Sequence, residues 1–290
     1  MGLRLKFNLV LLVSFALGLV IAGFLSFRIL KDNAEDEVVE TARLMMENAL
    51  AIRAYTAADV RPLLQEAHFD RFLPETVPSY AAQTNFRRVQ QQFPEFYYKE
   101  AALNPTNLAD LANEWEADII QRFRNDEGLT EQIAYRETPS GPVMVMSRPL
   151  AVGDESCLIC HSSVEAAPPE MVAMYGSANG FGWRLNEIIG AQIVSVPLSL
   201  PMERARDTFF TFLISLAVVF LIITALLNVV LHFVVVKPVV RISHMASQVS
   251  LGHMEEPEFV WKGRDEIGSL ASSFNRMRRS LENAMKMLED

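Results

Sequence analysis

The sequence predicts an α+β domain set between two membrane-spanning helices: a small antiparallel sheet with a long N-terminal helix, followed after the second span by a helical module. Three observations lead there. Two apolar runs, near residues 7–27 and 208–236, are each long enough to cross a bilayer; the segment between them turns from helix-period to strand-period patterning; and the last fifty residues carry heptad spacing.

Half of the 290 residues are apolar, with much of that excess held in the two runs. The net charge of −9 argues against a nucleic-acid partner. Phe7 to Phe27 contains no charge, and at about 1.5 Å per residue it spans a hydrocarbon core of about 30 Å. A signal peptide would have an apolar core of about 7–15 residues and a small-x-small cleavage site; this run is longer and continues into Phe27-Arg28-Ile29-Leu30, so an uncleaved anchor is expected. Arg4 and Lys6 before the first run, and Lys237 and Arg241 after the second, put both outer ends inside. The expected layout is 1–6 cytoplasmic, 7–30 first span, 31–207 outside, 208–236 second span and 237–290 cytoplasmic. In a bacterium this is a two-pass inner-membrane protein in contact with lipid, with its central domain in the periplasm and both termini in the cytoplasm.

Within the outer segment, Val38, Ala42, Met45, Ala49 and Ile52 recur at helical spacing and predict one helix over about 34–60, continuous with the first span. A proline-interrupted stretch follows, with a short helix near 80–92. Asn104-Pro105-Thr106-Asn107 reads as a helix start, with Leu108, Leu111, Ala112, Trp115 and Ile119 as its apolar stripe to about Phe123. Glu131 to Glu137 and Pro142 to Val152 read as strands joined by Pro139-Ser140-Gly141, and a last strand runs from Ile188 to Pro197. Between them lie a proline-rich turn at Ala167-Pro168-Pro169 and an irregular loop marked by Gly176, Gly180 and Gly182.

That region also holds the two cysteines of the chain, in Cys157-Leu158-Ile159-Cys160-His161. Cys-x-x-Cys-His is the pattern by which one c-type haem is covalently attached: Cys157 and Cys160 supply thioethers, and His161 ligates the iron from one face. Outward placement agrees with attachment in the periplasm. A thioredoxin-type dithiol would lack its βαβ context and leave His161 without a role, and a structural zinc site would lack ligands. For the sixth iron position Met45 and Met46 come first, on the apolar side of the long helix; His68, Met144, Met146, Met171 and Met174 are the other soft or imidazole candidates, and an open sixth site is a further alternative. Arg53 and Arg61 are candidates to meet the anionic propionates, and Phe181 and Trp183 fit either porphyrin packing or the core.

Beyond the second span, Val235, Val239, Ile242, Ala246 and Val249 are spaced 4-3-4-3, and Ile267, Leu270, Phe274, Met277, Leu281, Ala284 and Leu288 continue the pattern after a connector. With Pro238 just past the membrane and Asp265-Glu266-Ile267-Gly268 opening the second helix, residues 231–288 resemble a HAMP domain. That resemblance implies a parallel four-helix bundle contributed by two chains, hence a homodimer.

The outer segment resembles a family of periplasmic PAS-like sensor domains carrying one c-type haem, catalogued as a domain of unknown function. The matching pieces are Arg53-Ala54-Tyr55-Thr56, Val77-Pro78-Ser79-Tyr80-Ala81-Ala82, Leu103-Asn104-Pro105-Thr106-Asn107, the haem motif, Tyr175-Gly176, Gly180-Phe181-Gly182-Trp183 and Ile189-Gly190-Ala191. The resemblance implies a haem held against a small antiparallel sheet and coupled through a span to signalling modules. Cys157, Cys160 and His161 carry over; the family's second axial ligand varies, and none carries over.

The expected function is a membrane-anchored c-type haem sensor that relays redox state or the binding of a diatomic gas to the HAMP module. With the sequence ending at Asp290, the output is expected to act in trans on an unidentified cytoplasmic partner. The alternative is a membrane-anchored single-haem electron-transfer cytochrome serving a periplasmic redox partner. No paired carboxylates or nucleophile triad point to an enzyme.

Overall fold

The computed structural model describes residues 2–67, 70–253 and 257–289, and it divides into two compact units: 27–208, and 1–26 together with 209–290.

In the first unit, a four-stranded antiparallel sheet of order β1-β4-β3-β2 is built from β1 (Tyr97–Ala102), β2 (Gln132–Thr138), β3 (Gly141–Ala151) and β4 (Ile188–Pro197). β2 and β3 pair from Gln132↔Ser147 to Thr138↔Gly141, leaving Pro139 and Ser140 as the turn; Gly141 takes a φ of 112°, which favours glycine. β4 runs between β3 and β1, with Tyr97 opposite Ser195 and Ala102 opposite Gly190.

Successive residues of a strand point to opposite faces, and the apolar pattern of the central strands uses both. Met144 and Met146 of β3 with Val194 and Val196 of β4 pack on Val38, Ala42, Met46 and Ala49 of α1 (Leu3–Tyr55) and on Ala82 and Phe86 of α3 (Pro78–Gln92). Val143, Val145, Ala191 and Ile193 form the other face, against Ile119, Ile120 and Phe123 of α4 (Glu114–Asn125). The adjacent methionines and valines of β3 obscured simple alternation because both of its faces are covered.

Two differences from the expected elements bear on the site. The segment 97–102 forms a strand where a loose stretch was expected, because Lys99 and Glu100 mask its pattern. Both charges are partnered, Glu100 buried and Lys99 half-buried: Lys99 Nζ donates to Glu116 Oε2 at 2.7 Å and to the Leu111 carbonyl at 2.9 Å, and Glu100 pairs with Arg53. The helix expected to start at Asn104–Asn107 instead begins as α4 at Glu114. There Asn113 and Glu116 form a reciprocal capping box, with Asn113 Oδ1 accepting from the Glu116 N–H at 3.1 Å and Glu116 Oε2 from the Asn113 N–H at 2.9 Å. Asn104 is thereby released for another task.

The long helix continues past α1 through a π-helical segment, Thr56–Val60, into α2 (Arg61–Glu66). Such segments often mark functional sites. A short helix α5 (Leu158–His161) carries most of the Cys-x-x-Cys-His motif, and α6 (Pro169–Tyr175) stands where a turn was expected.

In the second unit, α7 (Ser199–Val230) leads through a π-helical segment, Leu231–Val236, into α8 (Lys237–Ser250); α9 (Glu266–Glu289) follows the connector. Two helices are long and apolar enough to cross a membrane, one near the N-terminus and one covering Ser199–Ser250. Between their apolar stretches Phe15 stacks on Phe220 with ring centroids 3.7 Å apart. Asn8 Nδ2 donates to Asn228 Oδ1 at 3.1 Å, and Asn228 Nδ2 donates back to Asn8 Oδ1 at 2.8 Å. Ile242, Met245 and Val249 of α8 enclose a small core with Phe259, Ala271 and Phe274. Leu270, Met277 and Leu281, expected on the heptad seam, are exposed in a single copy.

Phe123, fully buried among Ile120, Val145 and Ile193, is the largest side chain of its core. Phe123→Ala is expected to destabilise the domain by about 3–5 kcal/mol, read as a lowered denaturant midpoint of the detergent-solubilised chain.

Candidate functional site

A cavity of about 670 Å³ opens among α2, α3, the loop after β1, the end of β3 and the motif helices. Its volume lies in the range of about 300–1,000 Å³ typical of small-molecule and cofactor sites. Cys157, Cys160 and His161 line it together, and so do Arg53 and Arg61. Met45 and Met46 do not. Met46 is fully buried beneath the sheet and Met45 packs against the same core, so helical periodicity placed them on the packing side of α1 and not on the cavity. Met144 and Met146 are sheet core as well; of the methionines considered from the sequence, Met171, buried on α6, lines the cavity. His68 lies outside the described residues.

The imidazole of His161 is held in one tautomer. Its Nδ1 lies 2.7 Å from the Gly180 carbonyl oxygen, which can only accept, so Nδ1 carries the proton and Nε2 keeps its lone pair. Trp183 stacks on the ring with centroids 3.8 Å apart at 14°, while its backbone N–H donates to the His161 carbonyl at 3.1 Å. Burial pushes the His161 pKa down, and the bond to Gly180 partly opposes this. A metal-ligating histidine commonly donates its second nitrogen in this manner.

Gly180 is itself fixed. Asn104 Oδ1 accepts from its N–H at 3.1 Å, and Asn104 Nδ2 donates to the Phe181 carbonyl at 3.2 Å. Gly180 has a φ of 84°, and a Cβ there would lie 2.1 Å from Thr106 Oγ1, so both conformation and space require glycine. From the sequence Gly180 signalled only an irregular loop, and Asn104 resembled a helix cap.

Both thiols are free and half-buried. Burial raises the Cys160 pKa more than the Arg61 charge lowers it, which keeps the thiol protonated. Arg71 and Arg87 join Arg53 and Arg61 in the lining, facing Glu100, Asp110 and Glu170. Arg61 Nε donates to the Thr76 carbonyl at 3.1 Å. Arg53 is committed differently from the expectation: its guanidinium pairs with the buried carboxylate of Glu100. Tyr98 Oη donates to the other Glu100 oxygen at 2.8 Å, and Gln192 Nε2 donates to Tyr98 Oη at 3.1 Å. Arg53, Glu100 and Gln192 lie far apart in sequence.

Among the described residues no group of three or more His, Cys, Asp or Glu side chains could hold a bare metal ion. One imidazole with a free Nε2, two thiols and four arginines on the same cavity suit an iron already held in an anionic macrocycle.

Residues 31–197 match the Tll0287-like family, and residues 230–283 match the HAMP domain. The chain belongs to the Tll0287-like family. A solved structure titled "Crystal structure of the cyanobacterial heme-protein Tll0287" is similar over 56% of this chain and 95% of that one, at 16% identity and a TM-score of 0.44. No curated protein matches. The match places the whole sheet and the cavity in the Tll0287-like domain, and the second apolar helix runs on into the HAMP region.

Two tyrosines of β1 give this domain an alkaline limit. Tyr97 is pushed up to about 12 by burial and by the nearby Glu116 and Asp110 charges, and Tyr98 is raised by burial and by Glu100. A raised folded-state pKa means the folded protein keeps protons that the unfolded chain releases above pH 10, so stability falls as pH rises through about 12. Tyr97→Phe is expected to flatten that fall, measured as denaturant midpoint against pH.

Proposed function

We propose that the chain is a membrane-anchored sensor whose Tll0287-like domain holds one covalently bound c-type haem and relays its state to the HAMP module. One observation carries the reading: the iron-ligand candidate and the long helix α1 are tied to the same strand. The loop after β1 supplies Asn104 and Thr106, which shape the contact to His161, and four residues before Asn104 the strand supplies Glu100, the partner of Arg53 on α1.

When bound, the haem supplies an iron whose charge changes with oxidation and whose coordination changes with ligands. Cys157 and Cys160 would hold the group through thioether links, each S–H adding across one vinyl double bond with nothing leaving. His161 offers Nε2. Arg61, Arg71 and Arg87 are the cations placed to meet propionates, alongside Arg53 in its pair with Glu100. Charges in a poorly solvated wall are weakly screened, so a change of one unit in the cavity acts strongly on the Arg53–Glu100 pair and hence on α1. The relay then requires two packings of the HAMP helices, biased by the outer domain. The exposed Leu270, Met277 and Leu281 support a homodimer in which a second copy covers the seam. The four antiparallel strands, covered by helices, support the PAS-like reading; the two apolar helices support membrane anchoring, and the cations Arg4, Lys6, Lys237 and Arg241 at their outer ends support an inner-membrane protein with this domain in the periplasm. The reading is of a binding and signalling protein, not an enzyme.

The exposure of Ile159, 61% in the middle of the motif, favours a second reading, electron transfer through a haem edge near the surface. Rapid electron exchange with a small soluble redox protein, together with indifference of the HAMP helices to oxidation state, would establish it.

Haem staining after denaturing electrophoresis is expected to label the wild-type chain and to fail for the double variant Cys157→Ser, Cys160→Ser. With Met277→Cys in full-length protein in lipid nanodiscs, bismaleimide cross-linking between copies is expected to differ among oxidised, reduced and CO-treated samples. Identical yields in all three states would rule out the relay.

A further inference from the structure

We propose that Asn104 is the positioning residue of the haem site: by clamping the Gly180–Phe181 peptide it aims the Gly180 carbonyl at His161 Nδ1, and so sets the orientation and basicity that His161 offers to iron. The inference rests on the haem reading above and adds a residue that touches neither iron nor imidazole.

The geometry separates this role from ordinary loop stitching. The side-chain amide of Asn104 is used at both ends, accepting from the Gly180 N–H at 3.1 Å and donating to the Phe181 carbonyl at 3.2 Å. The two bonds bracket the peptide whose carbonyl belongs to Gly180, leaving that oxygen free to accept from His161 at 2.7 Å. Rotation about this peptide would otherwise be easy, because Gly180 has no side chain and sits at a φ of 84°. The packing is close on the other side too: Thr106, two residues from Asn104, occupies the space where a Cβ of Gly180 would fall and lies with Oγ1 3.4 Å from His161 Nδ1. The Gly182 N–H donates to the Ser162 carbonyl at 3.1 Å, and the Trp183 N–H donates to the His161 carbonyl, so the loop also grips the motif backbone. The imidazole is thus oriented by a loop, and the loop by Asn104.

A carbonyl that accepts strongly from Nδ1 makes Nε2 a better electron donor and favours the oxidised iron. Loosening the clamp should therefore raise the reduction potential. Outer-shell changes of this kind typically cost about tenfold or more in affinity or activity. A tenfold change in the oxidised-to-reduced ratio is about 59 mV for a one-electron couple.

The test is redox titration of the full-length haem-loaded chain in detergent, with resonance Raman of the reduced form to read the iron–imidazole bond. Asn104→Ala is expected to raise the midpoint by about 59 mV, the tenfold change above, and to weaken the iron–imidazole stretch. Asn104→Gln keeps a neutral amide with donor and acceptor but one methylene out of register, and is expected to fall between wild type and Asn104→Ala; it also serves where the alanine variant does not fold. Arg124→Ala is the structural control. It removes bonds from Arg124 to the Ile188 carbonyl at 2.7 Å and to Glu187 at 3.3 Å, beside the same loop but away from His161. It should lower the melting temperature and leave the potential in place. Haem-bearing Asn104 variants with wild-type potential and stretch would overturn the proposal, as would Arg124→Ala shifting the potential equally. A wild-type chain that holds no haem would overturn the parent reading instead.

Discussion

The ion pair between Arg53 and Glu100 is the constraint around which the rest of this domain is arranged. A carboxylate with 2% of its surface exposed is tolerable only when a cation and further donors replace its water. Arg53 supplies the charge from the end of α1, Tyr98 a hydroxyl from the same strand, and Gln192 of β4 holds that hydroxyl. Losing any one member would leave a buried polar group unpaired. The network therefore fixes three things together: α1 against the sheet, β1 as an edge strand beside β4, and one wall of the cavity.

A second anchoring point for α1 lies farther back along the helix. Arg148 of β3 donates to Glu47 at 2.7 Å and pairs with Glu131 at 3.0 Å, and Arg43 approaches Glu131 at 3.7 Å. These pairs are more exposed and individually weak. The apolar stripe Val38, Ala42, Met46 and Ala49 supplies most of the attachment, and the Arg53–Glu100 pair adds a buried ion pair at its end.

Much of the fold was legible because periodicity survives burial of one face. The long helix, α3, the β2–β3 hairpin and β4 all follow from apolar spacing and from turn residues such as Gly141. β1 was not legible: Lys99 and Glu100 look like surface residues until Glu116 and Arg53, contributed by other segments, are brought beside them. The site divides in the same way. Cys157, Cys160 and His161 lie close together in the sequence and carry the haem-attachment pattern in their spacing. Asn104 and Gly180, which orient His161, are seventy-six residues apart in the numbering, and each resembles a commonplace local signal, a helix cap and a flexible loop.

By itself the sequence determined the Cys-x-x-Cys-His pattern, the two apolar helices and the heptads beyond them, because each is a local pattern of residue type against position. The tertiary structure decided which methionine reaches the cavity, which arginine is already spent on a buried carboxylate, and which carbonyl receives the His161 proton. Those outcomes depend on groups from distant segments meeting out of water, where an unpaired charge or donor is costly and only the folded chain can supply its partner.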